Sequence, residues 1–464
     1  MEARHYDAIV IGSGQAGGPL ASALARSGRK TALIERAHHG GTCVNTGCTP
    51  TKTMVASARV AELASRGDTY GVTGAWPSIN MEKVRARKRA MVNTFREGSR
   101  RSLEETDGLD LYRAEARFTG QKTLSLTAAD ATECIVTAEM IFVNTGGRPS
   151  VPEISGLSDV PYLDSTSIME LGRVPDHLVV IGGGYIGLEF AQMFGRFAAD
   201  ITIVNRSKQI ASREDDDIAE CLATILIDEG NVIVNEAGVT KVEKGGQGIL
   251  VTLSTPAGEQ TLDASHILIA TGRTPNTDAL DPAAAGIKMD DRGYIPTDDQ
   301  LRTNVPGIYA LGDVRGGPAF THISYDDFRV IRTNVIGGGN TSISSRMVPY
   351  TVFTDPQLGR IGLTETEARE RGLAFRVAKI PMTAVARALE TDESRGLMKA
   401  LVDKESGQIL GAAVLGLEGG EIMAMLQIAM MGKLPYSALR DGIFAHPTLA
   451  ESLNTLFSSF TDGD

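Results

Sequence analysis

The pattern G-x-G-x-x-G occurs twice in this chain of 464 residues, each time between an apolar run and an Ala/Leu-rich or apolar helical stretch. In such a strand–turn–helix the first glycine permits a tight turn, the second lets a pyrophosphate approach the backbone, and the third allows close packing of helix and strand. The phosphate then lies at a helix N-terminus, where free N–H groups and the helix dipole favour anions. The two copies therefore predict two βαβ nucleotide-binding units, built on Gly12, Gly14 and Gly17 and on Gly182, Gly184 and Gly187.

The residue at the end of the second strand differs between the two units. Glu35 occupies this position in the first unit and is placed to accept a hydrogen bond from a ribose 2′-hydroxyl. Asn205 occupies it in the second unit and is followed by Arg206, with Lys208 and Arg213 nearby. An acid would repel a 2′-phosphate, whereas arginine attracts it. The second unit is therefore predicted to prefer NADPH over NADH. The alternative is an exposed turn with ordinary surface charges.

Two cysteines, Cys43 and Cys48, lie in the segment G-G-T-C-V-N-T-G-C-T-P-T-K. In a regular α-helix, residues i and i+5 have Cα atoms roughly 8–9 Å apart, whereas a disulfide needs roughly 4.4–6.8 Å. Pairing therefore requires a distorted helix, and Gly47 and Pro50 supply the distortion. A bridge across so short a loop stabilises little, which favours redox chemistry. A structural disulfide, a zinc half-site and two ordinary buried cysteines are the alternatives.

Composition narrows the classes of function. Hydrophobic residues make up 42% and charged residues 22% of the chain, and the net charge of −11 argues against nucleic acid or anionic membrane as a partner. Four cysteines do not make an extracellular disulfide framework, and the N-terminus runs into a predicted strand without a basic leader. No apolar run approaches the ~20 residues of a membrane span. The expected compartment is the cytoplasm, and no metal site is expected.

Three later segments complete the pattern, namely A-T-G-R-T-P-N (270–276), G-I-Y-A-L-G-D-V (307–314) and H-P-T-L-A-E (446–451). Together with the cysteine segment and both glycine patterns, they give the whole chain a resemblance to the FAD-dependent pyridine nucleotide–disulfide oxidoreductases. This is the family of glutathione reductase, dihydrolipoamide dehydrogenase and mercuric reductase. The resemblance implies an α/β fold with two Rossmann-like domains and a C-terminal α+β dimerisation domain. It also implies FAD on the first unit, NADPH on the second with NADH as the alternative, and a dithiol as electron carrier.

The resemblance also implies domain boundaries. The FAD-binding domain would be discontinuous, comprising 1–149 and 278–344, with the NAD(P)H-binding domain, 150–277, inserted between its two parts. Residues 345–464 would form the dimerisation domain, in which the Met-rich segment 422–431 is expected to pack in the core or at a dimer interface. The protein is therefore expected to be a homodimer.

Roles for individual residues follow from the motif positions of the family. Cys43 would attack the substrate, and Cys48 would face the flavin as a thiolate. Lys52 corresponds to a lysine beside the flavin N5 that pairs with a glutamate, here Glu189. Tyr185 lies where the family often has a ring that covers the flavin until nicotinamide displaces it.

The C-terminal motif supplies an acid–base pair. His446 can carry a proton to or from a thiol, and Glu451 can orient the imidazole. In the family this histidine reaches across a dimer interface to the partner's disulfide. Asp313 matches the aspartate that binds the flavin ribityl chain. The other expected FAD contacts are Thr42, Thr145 and Gly146, and the further expected NADPH contact is Gly272.

The sequence says least about the substrate. Mercuric reductases usually carry a cysteine pair near the C-terminus and typically have tyrosine at the position of His446, whereas this chain has no cysteine after Cys221. The segments F-T-H-I-S-Y-D-D-F (320–328) and P-T-K-T (50–53) are nevertheless similar to a mercuric-reductase-like subgroup that includes the reactive-chlorine-resistance reductase. We expect electrons to pass from NADPH through FAD and the cysteine pair to a disulfide. The alternatives are reduction of mercuric or copper ion, a dihydrolipoamide dehydrogenase-like activity and, least favoured, a non-catalytic redox flavoprotein.

Overall fold

The structure is a computed structural model that describes residues 3–74, 78–246 and 248–460. The strands of the described residues are β1 (Arg4–Ile11), β2 (Thr31–Ile34), β3 (Leu109–Tyr112), β4 (Ala114–Gly120), β5 (Thr123–Ala128), β6 (Glu133–Val143), β7 (Gly147–Pro149), β8 (His177–Ile181), β9 (Asp200–Val204), β10 (Val232–Val234), β11 (Gly238–Lys244), β12 (Ile249–Thr255), β13 (Gly258–Ala264), β14 (His266–Ile269), β15 (Arg273–Pro275), β16 (Ile308–Ala310), β17 (Tyr350–Val352), β18 (Gln357–Gly362), β19 (Phe375–Pro381), β20 (Leu397–Asp403) and β21 (Ile409–Gly416).

The α-helices of the described residues are α1 (Gly17–Arg26), α2 (Gly41–Asn45), α3 (Cys48–Ser65), α4 (Met81–Glu104), α5 (Tyr185–Arg196), α6 (Asp216–Asp228), α7 (Thr321–Ile331), α8 (Glu365–Glu370), α9 (Ala386–Glu390), α10 (Gly419–Met431), α11 (Tyr436–Arg440) and α12 (Ser452–Ser458). Single 3₁₀ turns cover Gly67–Tyr70, Leu157–Asp159, Ser167–Glu170, Pro282–Ala285, Gly312–Arg315 and Met382–Ala384, and a π-helical turn covers Arg332–Ile336.

The first of two compact units comprises Met1–Met54, Glu82–Ser150 and Gly272–Arg346. Its main sheet has the order β3-β2-β1-β6-β5-β4, with β16 also paired to β6. Strands β3, β2, β1, β6 and β16 run parallel, whereas β4 and β5 join β6 by antiparallel pairing. In register, the last residue of β1, Ile11, is level with the last residues of β2 and β6. The segments that follow these three strands therefore begin at one edge of the sheet, as in other nucleotide-binding sheets.

The core of this unit covers both faces of the sheet. Leu20 and Leu24 of α1 pack on one face with Leu33, and Ile9 and Phe118 belong to a cluster on the other. Strands buried on both faces are continuous apolar runs, because no position faces water. This explains why β1 and β2 could be recognised in the sequence.

The second unit comprises Val55–Met81, Val151–Thr271 and Met347–Asp464. It contains a parallel sheet of order β10-β9-β8-β14, an antiparallel sheet β11-β12-β13 and a five-stranded antiparallel sheet β17-β18-β21-β20-β19. Ile181 ends β8 level with the ends of β9 and β14, which repeats the geometry of the first sheet. Helices α10 and α12 pack on the five-stranded antiparallel sheet.

The predicted α/β class is confirmed, with one mixed sheet, one parallel sheet and a C-terminal α+β region. The division into three domains stays a prediction. In the described part of the chain, no helix combines the length and the apolar character that a membrane span requires.

Candidate active site

The first glycine pattern lies against the residue that follows β6. Gly12 has φ +97°, and a Cβ atom on it would lie 2.3 Å from the carbonyl oxygen of Asn144. A Cβ atom on Gly17 would lie 2.0 Å from the carbonyl oxygen of Gly12. The Asn144 side-chain amide donates to that same Gly12 oxygen at 3.2 Å. These positions therefore accept only glycine, as a backbone cradle for a pyrophosphate requires.

The side chains around this cradle fit FAD. The Glu35 carboxylate accepts the N–H (3.0 Å) and the hydroxyl (2.7 Å) of Ser13 and the N–H of Ala37 (2.9 Å). A carboxylate has about four acceptor sites, so one remains for a ribose hydroxyl. The hydroxyl oxygen of Thr145 is buried and has no hydrogen-bond partner among the described residues. A buried polar atom of this kind is normally satisfied, and a bound polar ligand would satisfy it.

Asp313 lies in the 3₁₀ turn that follows β16, in the same unit as the cradle. Burial raises the pKa of its carboxyl above the ordinary value, against the effect of Arg273, whose Nε lies 3.5 Å from Asp313 Oδ2. The turn itself is held by the fully buried Asp327, which accepts the N–H of Gly312 at 2.8 Å. A partly buried carboxylate that still reaches solvent can accept hydrogen bonds from the hydroxyl groups of a ribityl chain.

The second glycine pattern repeats the first. Gly182 has φ +124°, and a Cβ atom on it would lie 2.4 Å from the carbonyl oxygen of Ala270. A Cβ atom on Gly187 would lie 2.1 Å from the carbonyl oxygen of Gly182, and Gly184 has no atom within 4 Å of its Cβ position. The cradle at the end of β8 therefore leaves its middle glycine open to a ligand.

Asn205 and Arg206 differ in burial and therefore in role. Asn205 is buried, and its amide nitrogen lies 2.9 Å from three acceptor oxygens, two of which are carbonyl oxygens of the following loop. Arg206 is exposed, as are Lys208 and Arg213. The buried amide shapes the loop, and the exposed cations are accessible to a 2′-phosphate. Gly272 is exposed, with φ +134° and no atom within 4 Å of its Cβ position.

Cys43 and Cys48 lie on different helices, so the separation of a regular helix does not apply to them. Cys43 is in α2, and Cys48 is the first residue of α3. Gly47 lies between the helices, where a Cβ atom would be 2.9 Å from the carbonyl oxygen of Thr42. Both cysteines are free thiols, and they are hydrogen-bonded to each other. The expected interruption of the helix is present, and it brings the two sulfurs together.

The surroundings of Cys43 favour its neutral thiol. The hydrogen bond with Cys48, and next burial, raise the pKa of the Cys43 thiol well above its ordinary value. A hydrogen bond with Thr321 and the positive charge of Lys52 oppose this rise. Cys43 therefore holds its proton at neutral pH, and attack by its thiolate needs a base.

Thr321 is a site residue that sequence reasoning missed. It is the first residue of α7, and its hydroxyl oxygen lies 3.2 Å from the Cys48 sulfur. A hydroxyl at this distance can donate to a thiolate, and the positive end of the helix dipole adds to the effect. The segment 320–328 resembles a subgroup of the family, but nothing in its sequence pattern indicates contact with a cysteine.

In the second unit, Tyr185 is the first residue of α5 and donates to a Glu214 carboxylate oxygen at 2.7 Å. Tyr350 donates to the same oxygen at 2.5 Å. Neither Glu214 nor Tyr350 was predicted. Glu189, also in α5, is buried and accepts the N–H of Phe353 at 2.9 Å.

His446 and Glu451 form a pair within the second unit. The imidazole Nδ1 lies 2.8 and 3.1 Å from the two carboxylate oxygens of Glu451. The side chain of His446 is 67% exposed, so a substrate can reach it. With Nδ1 held by the carboxylate, Nε2 is the nitrogen available for proton transfer.

The structure thus distributes the predicted residues over both units. The first unit contains Cys43, Cys48, Lys52 and the residues around the first cradle, whereas the second contains Glu189, Tyr185, His446 and Glu451. Among the described residues, no group of three or more His, Cys, Asp and Glu side chains is arranged to hold a metal ion.

Comparisons with known proteins identify the class. Residues 6–327 match the family "Pyridine nucleotide-disulphide oxidoreductase", and residues 348–457 match its dimerisation domain. The chain belongs to this family. The predicted family, enzyme class and cofactors, FAD and a nicotinamide nucleotide, are thereby confirmed.

Individual relatives span the whole chain. The probable pyridine nucleotide-disulfide oxidoreductase RclA of Escherichia coli (strain K12) is 39% identical over 98% of this chain and 99% of its own length. A mercuric reductase of Staphylococcus aureus is 33% identical over 98% of this chain and 82% of its own. The structure of a Cu(II) complex of the HOCl-induced flavoprotein disulfide reductase RclA from Escherichia coli superposes with a TM-score of 0.90, at 38% identity and 99% coverage of both chains. The chain is similar throughout its length to flavoprotein disulfide reductases.

Proposed function

We propose that this enzyme uses NADPH to reduce a small-molecule disulfide through the pair Cys43 and Cys48. The observation that carries the proposal is the hydrogen bond between these two free thiols, at the interruption between α2 and α3. Two neighbouring thiols can exchange between the dithiol and the disulfide form.

Cys43 and Cys48 together supply both electrons that reduce the substrate disulfide. The Cys43 sulfur attacks one sulfur of the substrate disulfide and releases the first thiol. Cys48 then attacks Cys43 in the mixed disulfide and releases the second thiol, which leaves a Cys43–Cys48 disulfide. Bound FAD would supply the transfer of an electron pair from NADPH that restores the dithiol.

His446 would carry the protons of this exchange. The raised pKa of Cys43 means that its proton must be removed before attack, and the first thiol released must be protonated. The Nε2 atom of His446 can do both, because Glu451 holds Nδ1 and stabilises the imidazolium. The exposure of His446 supports access by a substrate.

The cofactor residues keep the roles implied by the family. Lys52 and Glu189 would pair beside the flavin, and the ring of Tyr185 would cover the flavin until nicotinamide displaces it. The residues that would hold FAD are Gly12, Gly14, Gly17, Glu35, Thr42, Lys52, Thr145, Gly146 and Asp313. The residues that would hold NADPH are Gly182, Gly184, Tyr185, Gly187, Asn205, Arg206 and Gly272.

A homodimer is part of the proposal, with three domains per chain at the predicted boundaries. Helix α10 supports it, because one face packs in the core through Ile422 and Leu426 while Met425, Ile428 and Met431 are 37%, 68% and 65% exposed. Apolar side chains at this spacing form a stripe that a second copy would cover.

Mixing a Cys43→Ser chain with a His446→Ala chain tests the dimer. If each site uses both chains, the heterodimer has one intact site and regains up to half of the wild-type activity. Verified heterodimers without recovery would contradict a shared site.

A cytoplasmic location is also inferred, because four free thiols suit a reducing compartment, and fractionation of cells tests it.

A second candidate is metal-ion reduction, favoured by the copper complex of the structural relative and by the mercuric reductase among the sequence relatives. NADPH oxidation by the purified holoenzyme should be measured with oxidised glutathione, lipoamide, other low-molecular-weight disulfides, Hg(II) and Cu(II). We expect turnover with at least one disulfide, lost in Cys43→Ser and retained in the control Cys134→Ser. Turnover with metal ions alone would favour the second candidate. Disulfide turnover that survives in Cys43→Ser would exclude the cysteine mechanism.

A further inference from the structure

Glu214, Tyr185, Tyr350 and Arg360 form a cluster that the mechanism above does not use. Glu214 lies just before α6, and its side chain is fully buried. Tyr350 is in β17, and Arg360, opposite it in β18, is 3% exposed. The two tyrosine rings lie against each other, with centroids 5.4 Å apart. The whole cluster lies within the second unit.

The hydrogen bonds of the cluster converge on one atom. Tyr185 and Tyr350 donate to Glu214 Oε1 at 2.7 and 2.5 Å. A carboxylate oxygen has two lone pairs, so it can accept both hydrogen bonds. The two hydroxyl oxygens lie 3.1 Å apart, and no hydrogen bond between them is then required. The other oxygen, Glu214 Oε2, has no hydrogen-bond partner among the described residues, and the nearest cationic atom, Arg360 Nε, is 3.9 Å away.

Both tyrosines stay donors over the working pH range. Burial, and next the charge of Glu214, raise the pKa of each hydroxyl above its ordinary value. The two hydroxyl groups are therefore the only hydrogen-bond donors to this carboxylate among the residues described. A buried carboxylate that loses its last donor is strongly disfavoured.

We propose that Glu214 is a positioning residue, because its hydrogen bond sets the free-energy cost of moving the Tyr185 ring away. Tyr350 is the second donor to Glu214, and it lowers this cost. The proposal rests on the proposed role of Tyr185 as the ring that nicotinamide displaces. With Tyr185 in place, Glu214 Oε1 has two donors. When Tyr185 moves away, Tyr350 keeps the carboxylate hydrogen-bonded.

The two tyrosines should therefore affect nucleotide binding in opposite directions. Tyr185→Phe keeps the ring but removes its hydrogen bond to Glu214. The conformation in which the ring has moved away is then populated more, and the nucleotide binds more tightly. Tyr350→Phe leaves Tyr185 as the sole donor, so its departure would leave the carboxylate without a partner and the nucleotide binds more weakly. One hydrogen bond corresponds to a change of about 3- to 10-fold in Kd in each direction.

The experiment measures the Kd of NADP⁺ for the holoenzyme, by titration calorimetry and by the change in the flavin spectrum, without turnover. The variants are Tyr185→Phe, Tyr350→Phe and Glu214→Gln, and the control is Tyr162→Phe, whose ring is 36% exposed. Glu214→Gln should tighten binding, because bonds to a neutral amide oxygen are weaker than bonds to a carboxylate. Both tyrosine variants keep their rings, so flavin content should match the wild type, and a cooperative thermal unfolding transition checks that each variant is folded.

Opposite changes for Tyr185→Phe and Tyr350→Phe, with Tyr162→Phe unchanged, support the proposal. Changes in the same direction, or an unchanged Kd for Tyr350→Phe, overturn it. The disulfide panel remains a separate test, because binding of NADP⁺ needs neither Cys43 nor His446. An enzyme that reduces disulfides normally in all three variants, with unchanged NADP⁺ binding, refutes this role of Glu214 and leaves the proposed function standing.

Discussion

The contact between Thr321 and Cys48 allows a quantitative prediction about the thiolate. Replacing Thr321 with Val keeps the shape of the side chain and removes the hydroxyl that lies 3.2 Å from the Cys48 sulfur. A hydrogen bond to a charged group contributes about 1.5–3 kcal/mol, and the lower end applies because Cys48 is exposed within this chain. Since 1.36 kcal/mol corresponds to one pKa unit, the midpoint for forming the Cys48 thiolate should rise by about 1 pH unit.

The sign follows from the direction of the bond. The threonine hydroxyl donates to the thiolate and favours it, so loss of the donor favours the protonated thiol. The long-wavelength absorbance of a thiolate next to the flavin reports this titration in the reduced holoenzyme. In the Cys43→Ser background without cofactor, the pH dependence of alkylation of Cys48 reports it independently.

Thr321→Ser is the matched control, because it retains the hydroxyl and the N-terminal position in α7. Its midpoint should stay close to that of the wild type, whereas Thr321→Val should titrate at higher pH. An unchanged or lower midpoint in Thr321→Val would refute the reasoning. The dipole of α7 is present in all three proteins, so it cannot account for a difference between them.

The remaining predictions concern the proton, the nucleotide and the fold. His446→Ala should lower disulfide turnover by about 10²–10⁴-fold, the usual worth of general acid–base catalysis, while flavin reduction by NADPH in stopped-flow measurements stays normal; equal loss of both would contradict the assigned role. Arg206→Ala should raise the KM for NADPH more than that for NADH, because only NADPH presents a 2′-phosphate, and a parallel change would remove the proposed preference. Asp327→Ala should lower the free energy of unfolding by about 3–5 kcal/mol in urea denaturation, because it leaves Arg315 without its carboxylate partner and Arg346 with Asp326 alone; a loss below about 1 kcal/mol would show that these arginines find other partners.

The glycine cradles could be predicted because backbone atoms alone determine them. The atoms that exclude a side chain at Gly17 and Gly187 are carbonyl oxygens of Gly12 and Gly182, five positions earlier in the same βαβ unit. Local spacing was equally sufficient for His446 and Glu451, which lie five positions apart and make their hydrogen bond. A short-range sequence pattern predicts such contacts, because residues joined by so few others must lie close together in space.

The contacts that tune the site could not be predicted in this way. Thr321 is 273 positions from Cys48, and Tyr350 is 136 positions from Glu214, so only the folded sheets bring them together. A weaker signal was available for Asn144, because N-T-G-G-R-P at 144–149 parallels A-T-G-R-T-P at 270–275 and both follow the strand beside a glycine cradle. Comparing the two halves would have indicated that Asn144 and Ala270 occupy equivalent places.

The proton chemistry of the site also bears on the choice between a disulfide and a metal ion. Reduction of a disulfide takes up two protons along with two electrons, whereas a metal ion that binds to thiolates accepts electrons without taking up a proton. The hydrogen bond with Cys48, and next burial, raise the pKa of the Cys43 thiol, so a metal ion that binds to Cys43 would have to release its proton. The same thiol becomes a good nucleophile once a base removes its proton, and an exposed imidazole held by a carboxylate is present in His446 and Glu451. An electron pathway through Cys43 and Cys48 would serve either substrate, but a group that protonates the released thiol is needed only for a disulfide, and this is the reason that we propose the disulfide.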